Sequence, residues 1–165
     1  MIRKEAGHDV PRNLYMKYGL FGIGIILLDQ LTKVVIRSTM TVGESIPVLG
    51  DFFRLTYVKN TGAAFSMLSG KQTFLIALTV LILVGVLIYF YRHPGKHKLF
   101  YTAWTMILAG GIGNLIDRVL FGWVTDMLDF SIFPPVFNVA DIGVTVGCGL
   151  FILYTLMEER LQKNE

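Results

Sequence analysis

Charged positions cut this chain into apolar runs of membrane-spanning length. From Gln72 to Tyr91 there are 20 residues without a charge, and ~20 apolar residues at ~1.5 Å rise each span a ~30 Å hydrocarbon core. A second run of 18 residues lies between Lys98 and Asp117, and a third of 16 between Asp141 and Glu158. The third reaches spanning length when Asn138 to Asp141 form the first turn of its helix. Near the N-terminus the clean run, Tyr18 to Leu28, is 11 residues before Asp29 and Lys33 interrupt it. It resembles a secretory signal, with a basic flank and a short apolar core. No small-x-small cleavage site follows Leu28, however, and the apolar pattern resumes at Leu31, Val34, Val35 and Ile36, which predicts an uncleaved first helix.

The pattern therefore predicts an all-α membrane protein with four transmembrane helices, at about 18–36, 72–91, 99–118 and 138–157. They form one domain, residues 1–165, with larger connections at about 37–71 and 119–137. In the first connection Phe52 to Val58 reads as a strand bounded by Gly50 and Asn60-Thr61-Gly62, predicting a small extracytoplasmic β-rich segment. On residues alone, a passive plug fits that segment equally well. With four passes both termini share a side with the 92–98 loop. That side carries Arg3, Lys4, Arg12, Lys17, Arg92, Lys96, Lys98, Arg160 and Lys163, nine of the 15 Lys and Arg, and the positive-inside rule places it in the cytoplasm.

Composition agrees with this reading. Hydrophobic residues make up 53% and charged residues 16%, against about 25% charged in a typical soluble domain, and the mean hydropathy is +0.58. Disorder is excluded, and an ordinary soluble enzyme does not fit. One Cys and three His supply neither a disulfide framework nor the usual structural zinc sets, and no metal or cofactor is implied. The net charge of +3 reads as topology rather than as affinity for nucleic acid. Cys148, within an apolar run, is expected to be a small buried side chain.

The polar residues inside these runs converge. Asp29 and Lys33 fall near the outer end of the first helix, Asn114, Asp117 and Arg118 near that of the third, and Asn138 and Asp141 at the outer start of the fourth. An ionisable group in a transmembrane segment costs at least ~2.5–3.5 kcal/mol unless paired or wet, so each is a functional candidate. Each also has a structural reading. Asp29 and Lys33, spaced i, i+4, form a self-neutralising pair. Asn138 and Asp141 suit the N-cap and N3 positions of a helix that Pro134 and Pro135 prevent from starting earlier. Arg118 can snorkel to head groups or clamp a carboxylate. The glycines of Ala109 to Gly113 and of Gly143-x-x-x-Gly147 are packing devices, and no phosphate loop is indicated. Asp126 and Asp129 stand in an amphiphilic connection without basic neighbours, and either one facing Asp141 would make a pair sharing one proton.

At these clusters the sequence resembles the bacterial lipoprotein signal peptidases, signal peptidase II. The matching segments are Asp29-Gln30-x-Thr32-Lys33, Lys59 to Ser66, Gly113-Asn114-x-x-Asp117-Arg118, Gly122-x-Val124-x-Asp126 and Phe137-Asn138-x-Ala140-Asp141, in family order over residues 18–157. The resemblance implies an aspartic intramembrane endopeptidase of the bacterial cytoplasmic (inner) membrane. Such an enzyme removes the signal peptide from diacylglyceryl-modified prolipoproteins just before the lipidated cysteine. It implies Asp126 and Asp141 as the catalytic pair, Asn60, Gly62, Asn114, Arg118 and Asn138 lining the site, and Asp29 and Lys33 supporting it. It further implies a monomer among membrane lipids, with its site near the outer face, no cofactor and no nucleic-acid partner. Two departures stand out: Thr125 and Met127 flank Asp126 where the family usually has Val and Phe, and Ile142 follows Asp141 where Ser is common. A transporter relaying protons or ions, and a subunit whose charges pair with partner helices, are the competing readings. A transporter would carry polar groups through the full depth, yet the second helix has no charge and the cytoplasmic halves of the others are apolar.

Overall fold

The computed structural model of the chain describes residues 12–62, 68–95 and 97–163, with side chains over 13–62, 68–95 and 97–158. The Ala63 to Ser66 part of the Lys59–Ser66 match, and the side chains of Arg3, Lys4, Arg12, Lys96, Arg160 and Lys163 used in the topology argument, lie outside them. Four helices, α1 (Arg12–Thr39), α2 (Gln72–Arg92), α3 (Lys98–Phe121) and α4 (Val139–Lys163), and four strands, β1 (Ser45–Leu49), β2 (Phe53–Asn60), β3 (Val124–Phe130) and β4 (Phe133–Phe137), follow in the order α1-β1-β2-α2-α3-β3-β4-α4. All four helices are long and apolar enough to cross a membrane. α1 runs past both ends of the expected 18–36 segment and passes unbroken through Asp29 and Lys33, whose side chains turn into the bundle.

α3 is the central helix, packed most extensively on α4 and also against α1 and α2. Glycines make that closeness possible: a Cβ at Gly110 would strike Ala140 O, and one at Gly147 would lie 2.9 Å from Ala103 O. At the end of the bundle away from the sheet, Phe100, Tyr101, Trp104 and Tyr154 form a buried aromatic core. At the other end Ile36 of α1 and Met40, just past its end, pack against Tyr57 of β2 and Met127 of β3, seating the sheet on the helices. Cys148 is exposed on the helix surface rather than buried: it lies on an outer face of α4, where apolar side chains such as Ile152 are also exposed.

The strands form one antiparallel sheet in the order β1-β2-β3-β4. Only β2 was anticipated; the 119–137 connection supplies two strands of its own. Pro134 and Pro135, which block helix, occupy the edge strand β4, and Pro47 the opposite edge strand β1. Proline cannot donate to a ladder and is tolerated at edges, where it also discourages further pairing. Gly122, with φ +79°, caps α3 in the left-handed region and turns the chain into β3.

One irregularity positions the site. β2 pairs with β3 through Leu55↔Leu128 and then Val58↔Asp126, so two residues, Thr56 and Tyr57, oppose Met127 alone. Side chains alternate between faces along a strand, so one extra residue exchanges the faces of everything beyond it. An unbroken register would set Lys59 opposite Val124, on the face of Asp126. The bulge sets Asn60 there and sends Lys59 to the other face, where its Nζ lies 4.1 Å from the centre of the Trp123 ring.

Candidate active site

Asp126 of β3 and Asp141 of α4 both line a cavity of about 720 Å³ between α3, α4 and the sheet, with Asn60, Asn114 and Arg118. Three asparagines hold the two carboxyl groups, and each is oriented the same way. Asn138 takes the backbone N–H of Asp141 on its Oδ1 (3.0 Å) and donates Nδ2 to Asp126 Oδ1 (2.6 Å). Asn60 takes the backbone N–H of Gly62 on Oδ1 (2.9 Å) and donates Nδ2 to Asp126 Oδ2 (3.0 Å). Asn114 takes Lys33 Nζ on Oδ1 (3.0 Å) and donates Nδ2 to Asp141 Oδ1 (2.7 Å). In each case the amide oxygen is engaged elsewhere, so the NH₂ end must face the acid. An aspartate in any of these places would face a carboxylate with another acceptor.

The capping reading of Asn138 and Asp141 also holds. The backbone N–H of Asn138 donates to Asp141 Oδ2 at 3.2 Å, closing a reciprocal capping box with the Asn138 side chain. The two roles use different groups: the Asn138 oxygen and Asp141 Oδ2 start the helix, while Asn138 Nδ2 reaches Asp126.

Behind the pair lies a buried ionic network. Lys33 and Asp29 bridge at 2.9 Å, and Lys33 also lies 3.7 Å from Asp117, with all three side chains at most 1% exposed. Asp29 Oδ1 accepts the Ala140 N–H at 2.9 Å, so a side chain of α1 caps α4 beside Asp141. Gly113 leaves the space for it, since a Cβ there would lie 2.6 Å from Asp29 Oδ2. Asp117 Oδ2 accepts the Thr125 N–H at 2.8 Å, and Arg37 Nη1 joins Asp117 Oδ1 (3.4 Å) to the Thr125 hydroxyl (3.0 Å). The start of β3, one residue before Asp126, is thereby fastened to α1 and α3. Thr125, one of the departures from the family pattern, uses its hydroxyl in this contact.

Every site residue expected from the sequence is in this assembly. Asp126 and Asp141 meet at the cavity, and Arg118 donates Nη2 to Gly62 O at 3.1 Å rather than clamping a carboxylate. Asp29 and Lys33 are at once the mutually neutralising pair and the support of Asn114 and α4. Gln30, part of the matched Asp29–Lys33 segment but without an expected role, donates to Asp29 Oδ2 and Gly113 O, and no role was expected for Arg37 or Thr125. Asp129 likewise had no structural reason in the sequence. Asp129 sits across from Arg54 and accepts the Thr56 hydroxyl at 2.6 Å, so its charge belongs to the sheet.

Burial, and next the charge of Asp141, push the Asp126 carboxyl up to about 7, against the opposing pull of the Asn138 and Asn60 amides. Among the described residues no group of His, Cys, Asp and Glu has the arrangement of a metal site. Two carboxyl groups lining one cavity are the kind of pair that general acid–base hydrolysis of an amide uses.

The family described as signal peptidase (SPase) II matches residues 21–157. The lipoprotein signal peptidase of Halothermothrix orenii is 45% identical over 137 residues, 83% of this chain and 93% of its own. That of Staphylococcus aureus (strain bovine RF122 / ET3-1) is 39% identical over 150 residues, 88% of this chain and 91% of its own. A bacterial membrane enzyme solved by the in meso method at 2.3 Å superimposes with a TM-score of 0.85 at 36% identity, covering 90% of this chain and 93% of the other. With the match running through all four helices and both aspartates, the chain belongs to the signal peptidase II family of aspartic-type proteases and is a multi-pass bacterial membrane protein.

Proposed function

We propose that this protein removes the signal peptide from diacylglyceryl-modified prolipoproteins, cutting just before the lipidated cysteine with water activated by Asp126 and Asp141. The observation that carries the reading is that these two carboxyl groups line one cavity and are bridged by Asn138, whose Nδ2 donates to Asp126 and whose backbone N–H donates to Asp141. Asp141, in the first turn of α4 at its helix N-terminus, is the ionised partner and takes a proton from water. Asp126 is the neutral partner and donates to the carbonyl oxygen as the tetrahedral intermediate forms. Away from the carboxyl groups the cavity wall is apolar, with Phe130, Phe133, Phe137 and Val146, a lining suited to acyl chains and an apolar signal segment.

In this reading the single domain of residues 1–165 acts as a monomer in the bacterial cytoplasmic membrane. Its termini are cytoplasmic, and the sheet and site lie at the outer face. The cation distribution supports that orientation. In a Cys148→Ala background, a cysteine placed at Ser69 should react with an impermeant thiol reagent from outside; reaction from the cytoplasmic side alone would invert the topology and sink the reading of the site's depth.

The activity itself is tested with purified protein in lipid, given the same prolipoprotein with and without its diacylglyceryl group. Each buried methylene contributes ~0.8 kcal/mol to binding, so loss of the lipid should remove most turnover. Equal rates on the two substrates would indicate a general signal peptidase instead.

A further inference from the structure

Peptide hydrolysis creates a charge that the starting bond lacks. The water oxygen adds to the carbonyl carbon, the C–N bond breaks, and both protons of the water end on the leaving nitrogen, one as the bond breaks and the other from the new acid. The signal peptide then ends in a carboxylate, and the lipidated cysteine begins with an ammonium group. In this site the carboxylate forms next to two aspartates that together carry a negative charge, in a cavity whose remaining walls are mostly apolar. Without a cation beside it, that product is poorly accommodated.

Arg118 is placed to be that cation. It lines the same cavity as Asp126 and Asp141 and stands one helical turn beyond Asn114, toward the sheet. Its Nη2 is fixed on Gly62 O, which holds the guanidinium in place. Its Nε is buried and has no acceptor among the described residues. The ion pairs among those residues engage Lys33 and Arg37 and leave Arg118 out. The group is thus a positioned, charged donor with a buried N–H left over, although acidic side chains are close at hand. A buried donor left unpaired is costly, and guanidinium is the side chain best matched to a carboxylate.

We propose that Arg118 receives the carboxylate at the new C-terminus of the released signal peptide. The assignment rests on the proposed peptidase activity and adds to it a binding group for one product. The enzyme then distinguishes the cut signal peptide from the same segment without its negative end, and Arg118 is responsible for the distinction.

The test uses a synthetic peptide covering the C-terminal half of the signal peptide, prepared as the free acid and as the C-terminal amide. Each is measured as an inhibitor of lipidated-prolipoprotein cleavage by the intact protein. The acid should inhibit the parent with a constant about tenfold lower than the amide, the scale of one charge-assisted hydrogen bond. In Arg118→Gln the ratio should fall to near one, and in Arg118→Lys it should be partly kept. Where a variant turns over too slowly, the ratio is read by displacement of a fluorescent amide peptide. A ratio near one in the parent, or an undiminished preference in Arg118→Gln, overturns the proposal and leaves the aspartate pair standing. Failure of the parent to cut prolipoprotein at all removes both.

Discussion

Asp126→Asn and Asp141→Asn should each reduce hydrolysis by at least ~10³-fold while leaving the protein folded, since positioned acid–base groups contribute on the order of 10²–10⁴-fold each and neither partner is expected to work alone. An amide is nearly isosteric with a carboxyl group but cannot take a proton from water. For Asp141 the variant also separates two roles. The helix cap needs only an acceptor for the Asn138 N–H, which the amide oxygen still offers, so a residue that merely capped α4 would remain active as Asn. Asp129→Asn, which touches Thr56 on the sheet, should keep substantial activity, and chelators or serine-directed reagents should have no effect. The measurement is initial cleavage rate with matched thermal unfolding in detergent. Either Asn variant cutting near the parent rate would end the assignment.

Lys33→Met should have the largest effect on stability. The ammonium is wholly buried and faces Asp29, Asp117 and the Asn114 oxygen. Removing one partner of a buried ionic group leaves uncompensated charge and costs about 3–5 kcal/mol, which in a chain of this size corresponds to a fall in the unfolding midpoint on the order of 10 °C. Activity should fall as well, because Asn114 loses the contact that directs its NH₂ at Asp141. Adding Asp29→Asn removes part of the stranded charge, so the double variant should melt above Lys33→Met alone. A midpoint for Lys33→Met within ~2 °C of the parent would show that the network does not hold the site.

The parts of this architecture legible in the sequence are those written in local pattern. Charge-free runs mark α2, α3 and α4 because exclusion of charge is what the bilayer demands, and Phe52 to Val58 marks β2 because its residues favour an extended chain. β3 and β4 were not legible. The alternation along Val124 to Phe130 is broken by apolar residues facing both ways, toward the α1 core through Met127 and toward the cavity through Phe130. Pro134 and Pro135 reported only what the segment could not be.

The aspartate pair came from resemblance, since spacing alone could not choose Asp126 over Asp129. Asp126 and Asp129 lie on opposite faces of β3, and which of those faces meets α4 is set by packing that no single segment encodes. The Arg37, Asp117 and Thr125 contacts were hidden for the same reason, joining residues 80 and 88 positions apart.

The proposed mechanism requires one proton shared by a neutral Asp126 and an ionised Asp141. With the Asp126 carboxyl held up to about 7, rising pH through that value should remove the proton needed at the carbonyl oxygen, and falling pH should protonate the base, so activity declines on both sides. The direct measurement is kcat/KM for lipidated prolipoprotein across about pH 4 to 9 with the purified protein in lipid. The profile should be bell-shaped with its alkaline limb near pH 7, whereas undiminished activity up to pH 9 would rule out the shared proton.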